Sequence, residues 1–315
     1  MSSITDLIKE LRDKTGAGFL DCKKSLEENN NDIDKSIEAL RKKGLAKASK
    51  KSDREANEGA VGVYSNKDIT VLIKVNSETD FAAKSDTFLD FLDNLGSIVL
   101  KNNSKIDRND LLSLNYENGT IKDYFDSMIA KIGENLILND LIIKENQSSY
   151  FSYYIHNSYR SNIGKIISLL EYSSDKKDNT IEALSKNLCM HIAAMKPESI
   201  DIEDLDKSLV LNEEKIQREL ILNSGKPSNI VERILEGKMK KFYSEITFLN
   251  QPYILDQDKT VRDVVLENSK FNFKLLSFEN GSLLAICAQK QKSLEVKELS
   301  TALLFMQNFL HPMYL

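Results

Sequence analysis

The chain is poor in the residues that build tight loops and cross-links, with 12 glycines, 4 prolines and 3 cysteines in 315 residues. Cys22, Cys189 and Cys287 lie far apart in sequence and form no CxxC pair. That pattern supports neither a disulfide framework nor a thiolate zinc site, and it reads as a protein of a reducing compartment. The sparse glycines form no GxxxxGK[ST] and no GxGxxG, so the usual backbone cradles for nucleotide phosphates are missing. No apolar run reaches the roughly 18 residues needed to span a bilayer, and the N-terminus enters an amphipathic helix without a signal core. A soluble, cytoplasmic chain with no membrane partner is the expectation. His156, His191 and His311 are isolated from one another, outside any HExxH spacing, and read as structural. Acidic pairs such as Glu203 and Asp204 sit in capping or surface contexts, and no nucleophile stands beside a base. The sequence assigns no catalytic residue, no metal site and no cofactor, and the chain is not expected to be an enzyme.

What is present has globular composition, 41% hydrophobic and 29% charged, and the net charge of −5 argues against nucleic acid as a direct partner. The length suits two or three domains. Ile4, Leu7, Ile8 and Leu11 recur at helical spacing after Ser2 and Ser3, and Thr15 to Gly18 ends that helix. Phe19, Cys22 and Leu26 give a second apolar face; Ile33, Ile37 and Leu40 give a third, with Asp32 at its start and Gly44 after its end. Residues 45–58 are lysine-rich with no broad apolar face and read as a solvated linker or helical extension. Alternation around Ser65 to Asp68 predicts a β-hairpin, and Phe88 to Val99 and then 120–131 predict two helices. Residues 102–118 between them read as a polar surface insertion with one leucine-rich turn. Strands are expected at 136–143, 152–156 and 163–172, and a helix from Ile181 to Ile192. Residues 205–223 and 229–243 read as an antiparallel helical hairpin broken by Ser224-Gly225-Lys226-Pro227, with Leu209, Ile216 and Leu220 facing Ile230, Ile234 and Met239. Short strands around Ile246 and Leu275 are expected to flank a helix at 260–268.

One segment resists a purely structural reading. Asn76-Ser77-Glu78-Thr79-Asp80-Phe81-Ala82-Ala83-Lys84 leaves a strand and enters a helix, setting an aromatic among polar residues. Pattern alone leaves two readings open: Phe81 folds back on the core as a staple before the helix, or it faces outward for a partner.

TGAGFLDCKKSL at 15–26, TDFAAK at 79–84, KIGEN at 131–135, HIAAMKPE at 191–198, SGKP at 224–227, EGKMKKFY at 236–243 and QPYI at 251–254 resemble, in order, the elongation factor Ts family. The resemblance implies an α+β fold. It places an N-terminal three-helix domain of the ubiquitin-associated type at 1–52 and two α+β core subdomains at 53–140 and 141–285. The second subdomain would carry an inserted antiparallel coiled-coil hairpin at 205–243, and 286–315 would be a divergent tail in which Leu299, Leu303, Met306 and Leu310 could line a helix. The family's function is guanine-nucleotide exchange on elongation factor Tu, in its GDP-bound and nucleotide-free forms. By position, Thr79, Asp80, Phe81 and Ala82 become the residues that enter the partner beside its Mg²⁺ and dislodge it, with Gly133, Glu134, Asn135 and His156 as further partner contacts. Ala82 stands where a larger aliphatic is common in the family, which implies a smaller contact there. The rival readings are an adaptor or chaperone-type binding protein built on the three-helix module, and a hydrolase or metal enzyme, which lacks any supporting constellation.

Overall fold

The computed structural model describes residues 3–15, 17–102, 106–117, 119–146, 149–175, 178–268 and 273–282. The divergent tail expected at 286–315, its candidate helix, Cys287 and His311 lie outside the described residues.

Three helices open the chain: α1 (Ile4–Thr15), α2 (Phe19–Glu28) and α3 (Ile33–Ser49). They close on a small core of Ile8, Leu11, Cys22, Leu26 and Leu40, and Asp32 caps α3 by accepting from the Lys35 N–H. Two expectations change here. Phe19 is half exposed instead of joining Cys22 and Leu26 in the core. Gly44 does not end α3 but lies inside it, where a Cβ would sit 3.5 Å from that of Ala130. The small residue allows close approach to a later helix, so the extension through Ser49 is held by packing, and Ala48 enters the main core.

The hairpin of β1 (Glu58–Ser65) and β2 (Ile69–Ser77) follows, paired antiparallel from Glu58 and Ser77 to Ser65 and Thr70. A one-turn helix α4 (Asp80–Ala83), a long α5 (Asp86–Asn102) and α6 (Arg108–Ser113) come next. The stretch expected as a surface insertion thus contains a helix with a capping box between Asp107 and Asp110, and its Leu111 is fully buried in the main core. A small ribbon, β3 (Asn115–Tyr116) and β4 (Gly119–Thr120), leads into α7 (Ile121–Ile132), capped by Thr120 and ended by Gly133 at φ 90°. Strands β5 (Leu136–Glu145), β6 (Tyr150–Arg160) and β7 (Ile163–Ser173) lie where β-branched and aromatic residues predict them, and α8 (Asn179–Met195) packs on β6 and β7.

Helices α9 (Lys207–Asn223) and α10 (Ser228–Ile246) form the helical hairpin, with Gly225 left-handed at φ 70° and Pro227 at the N-cap of α10. Its seam keeps Ile234 and Met239 of the expected one and differs in the rest. Ile221, Val231, Leu235 and Met239 are buried together, whereas Leu209, Ile216, Leu220 and Ile230 are exposed. Ile246 is the last residue of α10, not part of a strand. The ribbon β8 (Pro252–Tyr253) and β9 (Asp256–Thr260), then α11 (Val261–Glu267) and β10 (Lys274–Ser282), complete the described chain.

Six strands form one antiparallel sheet in which β2 lies between β5 and β1, and β7 lies between β6 on one side and β1 and β10 on the other. The structure is therefore mixed helix and sheet. Val71, Ile73 and Val75 face α5 and α7 in the main core, while Leu170 and Tyr172 pack on α8 and α11 residues in a second. The intervening apolar side chains Val61, Val63, Leu72, Ile167 and Leu169 meet each other, which buries both faces of the central strands.

Candidate partner-binding site

The segment of interest begins where β2 ends. Ser77 Oγ donates to the carbonyl of Thr79 at 2.8 Å, which turns the chain out of the sheet. Thr79 holds extended dihedrals and its Oγ1 accepts from the Ala82 N–H at 3.2 Å, the N-cap bond that starts α4. Within this single turn Ala82 and Ala83 face inward and are buried. The helical rotation of about 100° per residue then carries Phe81 outward, and its ring is 83% exposed. Asp80 pairs with Lys84 at 2.6 Å, and the hydrogen bond from that ammonium holds its carboxyl below the usual range. The Lys84 ammonium also lies 5.9 Å from the centre of the Tyr159 ring, at the end of β6.

The corner is braced by the turn after α7. Glu134 accepts from both the N–H and the hydroxyl of Thr79, at 2.9 and 2.7 Å. In the reverse sense, Glu78 accepts from the N–H of Asn135 at 2.7 Å. The buried Asn135 amide donates to the carbonyls of Arg54 at 2.8 Å and Ser52 at 3.3 Å, and Lys51 hydrogen-bonds the Gly133 carbonyl, so the chain leaving α3 is tied into the same clasp.

Of the residues expected at the site, Thr79, Asp80, Phe81, Ala82, Gly133, Glu134 and Asn135 therefore lie together. His156 does not join them through any described contact: it is exposed on β6, with its Nδ1 3.4 Å from the hydroxyl of Tyr154. Ala82 is buried and Asn135 is only 3% exposed, so Phe81 is the outward apolar side chain of the group. Glu78 lies within the segment at 76–84 that the sequence singles out, but its bond to Asn135 was not legible, because it spans 57 residues of sequence. A second exposed apolar pair, Phe19 at 49% and Leu20 at 77%, opens α2. Its signal was an aromatic and a leucine side by side on a short helix that needs only one apolar stripe.

The family model described as Elongation factor TS matches residues 78–282, starting at the residue before Thr79. The chain belongs to the elongation factor Ts family. The curated elongation factor Ts of Rhizobium etli strain CIAT 652 is 37% identical over 271 residues, covering 86% of this chain and 88% of the relative. The counterpart from Erythrobacter litoralis strain HTCC2594 is 39% identical over 267 residues, covering 84% and 85%, and that from Rhizobium meliloti strain 1021 is 34% identical over 270 residues, covering 86% and 88%. Membership of the elongation factor Ts family places the chain in protein biosynthesis as a nucleotide exchange factor for elongation factor Tu. Among the described residues no helix is long and apolar enough to cross a membrane.

Proposed function

We propose that the chain expels GDP from elongation factor Tu by inserting Phe81 beside the partner's Mg²⁺ site, with Thr79 and Asp80 at its base and Ala82 seating the turn. The observation that carries this reading is the Phe81 ring, 83% exposed on a corner whose other apolar residues, Ala82 and Ala83, are buried. A GTPase holds GDP through Mg²⁺ and backbone N–H groups around the phosphates. A factor that binds better to the state lacking those contacts weakens nucleotide binding by the same free energy with which nucleotide weakens its own. Burying one Phe side chain contributes about 1.5 to 3 kcal/mol, which is enough to shift such an equilibrium by about ten- to a hundredfold. Asp80 is paired to Lys84, which favours its ionised form.

The remaining expectations take their place in the same proposal. The three-helix cluster at 1–52, read as ubiquitin-associated in type, grips the GTPase domain from another side through Phe19 and Leu20, adding affinity by linked contacts. Two core subdomains, 53–140 and 141–285, present the corner and the coiled-coil hairpin 205–243, and His156 is a separate contact on the second. The chain acts in the cytoplasm on GDP-bound and nucleotide-free partner, breaks no covalent bond, and needs neither nucleic acid nor membrane.

The test is release of a fluorescent GDP analogue from elongation factor Tu, followed by stopped flow. Acceleration at micromolar concentration by the intact chain is expected. Phe81→Ala should keep its unfolding midpoint, because so exposed a ring contributes little to the core, and lose about ten- to a hundredfold in exchange rate. An unfolded Phe81→Ala variant, or one as fast as the parent, overturns the proposal.

A further inference from the structure

The corner that presents Phe81 is too short to hold itself. An isolated helical turn is unfavourable because several dihedrals are fixed for few hydrogen bonds, and α4 spans four residues. A solvated phenyl ring also gains by collapsing onto the nearest apolar surface. Something outside the turn must keep the ring out, and the contacts of Thr79 show what it is. The Thr79 hydroxyl accepts from Ala82 N–H and donates to Glu134 Oε1, its own N–H donates to Glu134 Oε2, and its carbonyl accepts from Ser77 Oγ. Glu134 thus uses both carboxylate oxygens on one residue, two positions before the ring.

The carboxylate is itself well placed. It follows Gly133, whose left-handed φ of 90° ends α7, and it precedes Asn135, whose N–H is held by Glu78. Residues 78–79 and 134–135 therefore exchange hydrogen bonds in both directions across the two loops.

We infer that Glu134 is a positioning residue, not a partner contact: it locks Thr79 so that Phe81 stands outward before the partner arrives. This rests on Phe81 being the wedge. Ordering the corner in advance removes an entropic cost that would otherwise fall on the exchange step.

The experiment uses the full chain and elongation factor Tu loaded with fluorescent GDP, measuring maximal rate and half-saturating concentration separately. Glu134→Ala is expected to lower the maximal rate about tenfold. Glu134→Gln is expected to restore most of it, because its amide oxygen still accepts from Thr79 N–H and its amide nitrogen donates to the Thr79 hydroxyl. Glu134→Asp, one methylene shorter, is the second variant and is expected to be slow while folding normally. Combined with Phe81→Ala, Glu134→Ala should add no further loss. A fluorine label on the Phe81 ring gives a readout independent of activity: one sharp resonance in the parent, shifted or broadened by Glu134→Ala.

Parental rate and an unchanged fluorine resonance in Glu134→Ala, with Phe81→Ala still slow, would overturn the inference and leave the wedge standing. A Glu134→Ala loss of full size in the Phe81→Ala background would also overturn it, showing a direct contact. A fast Phe81→Ala variant would remove the wedge itself, leaving Glu134 nothing to position.

Discussion

Gly133 shows how one residue can serve both fold and site. Its φ of 90° lies in the left-handed region where a Cβ is unfavourable, although no neighbour closer than the Lys51 ammonium at 3.8 Å would meet that Cβ. The cost of a side chain is therefore conformational and not steric crowding. Gly133→Ala is expected to lower stability by about 1 kcal/mol. It should also slow exchange, because the turn it distorts delivers Glu134 and Asn135. Thermal unfolding and the GDP-release assay check the two halves; a variant with lower stability but parental exchange would show that the turn tolerates the change. Tyr64 makes the opposite use of glycine: its ring fills the space beside Gly62 and Gly96, where a Cβ would come within 2.5 Å of it, and its hydroxyl reaches Asp93.

Among the elements, the helical hairpin separates pattern from packing. Helix α9 carries Leu209, Val210, Leu211, Ile216, Leu220, Ile221 and Leu222, apolar residues on nearly every side, so periodicity could not select the seam. The structure buries Ile221 against Val231, Leu235 and Met239 and leaves Leu220 58% exposed. Leu235→Ala should therefore cost about 2 to 4 kcal/mol, whereas Leu220→Ala should stay within about 0.5 kcal/mol of the parent. Unfolding followed by circular dichroism distinguishes them, and a larger loss from Leu220 would restore the seam read from the sequence. Helix α5 is anchored differently, by Arg160 bridging Asp90 and Asp93 at 2.7 Å each, which ties it to the end of β6 near Tyr159 and the Lys84 contact.

At the scale of the whole molecule, stability should depend on pH through His191. The ring is buried between Phe248 and Tyr253; its Nδ1 accepts from the Ile254 N–H at 3.2 Å, so Nε2 carries the proton donated to Gln251 Oε1 at 2.9 Å. Burial lowers its pKa below the ordinary 6.5, and the Gln251 bond only partly opposes this. A histidine favoured as neutral in the fold contributes fully above its unfolded pKa, and the contribution falls as pH drops below about 6.5. A second proton would also face the Ile254 N–H. The unfolding midpoint is expected to decline between pH 7.5 and 5.5 more steeply in the parent than in His191→Gln, and equal slopes would refute the assignment. The three-helix cluster is joined to the rest by α3 packing on α7 and by Arg41 meeting Asp123 at 2.9 Å. That surface ion pair contributes about 0 to 1 kcal/mol, so the packing, including Gly44 against Ala130, carries the junction.

By itself the sequence determined the longer helices and the main strands, the Asp32 cap, the hairpin break at Gly225 and Pro227, and the family, because these depend on neighbours within a few residues or on short motifs. It also singled out Thr79 to Ala82, yet the pattern by itself favoured Phe81 folding inward as a staple. Only the tertiary structure decided that question, by burying Ala82 and Ala83 and bringing Glu134 to Thr79 across 55 residues. The same reason explains Gly44 inside a helix, Leu111 in the core and the shifted hairpin seam. Each depends on which distant surface a side chain meets, and local periodicity holds no record of that surface.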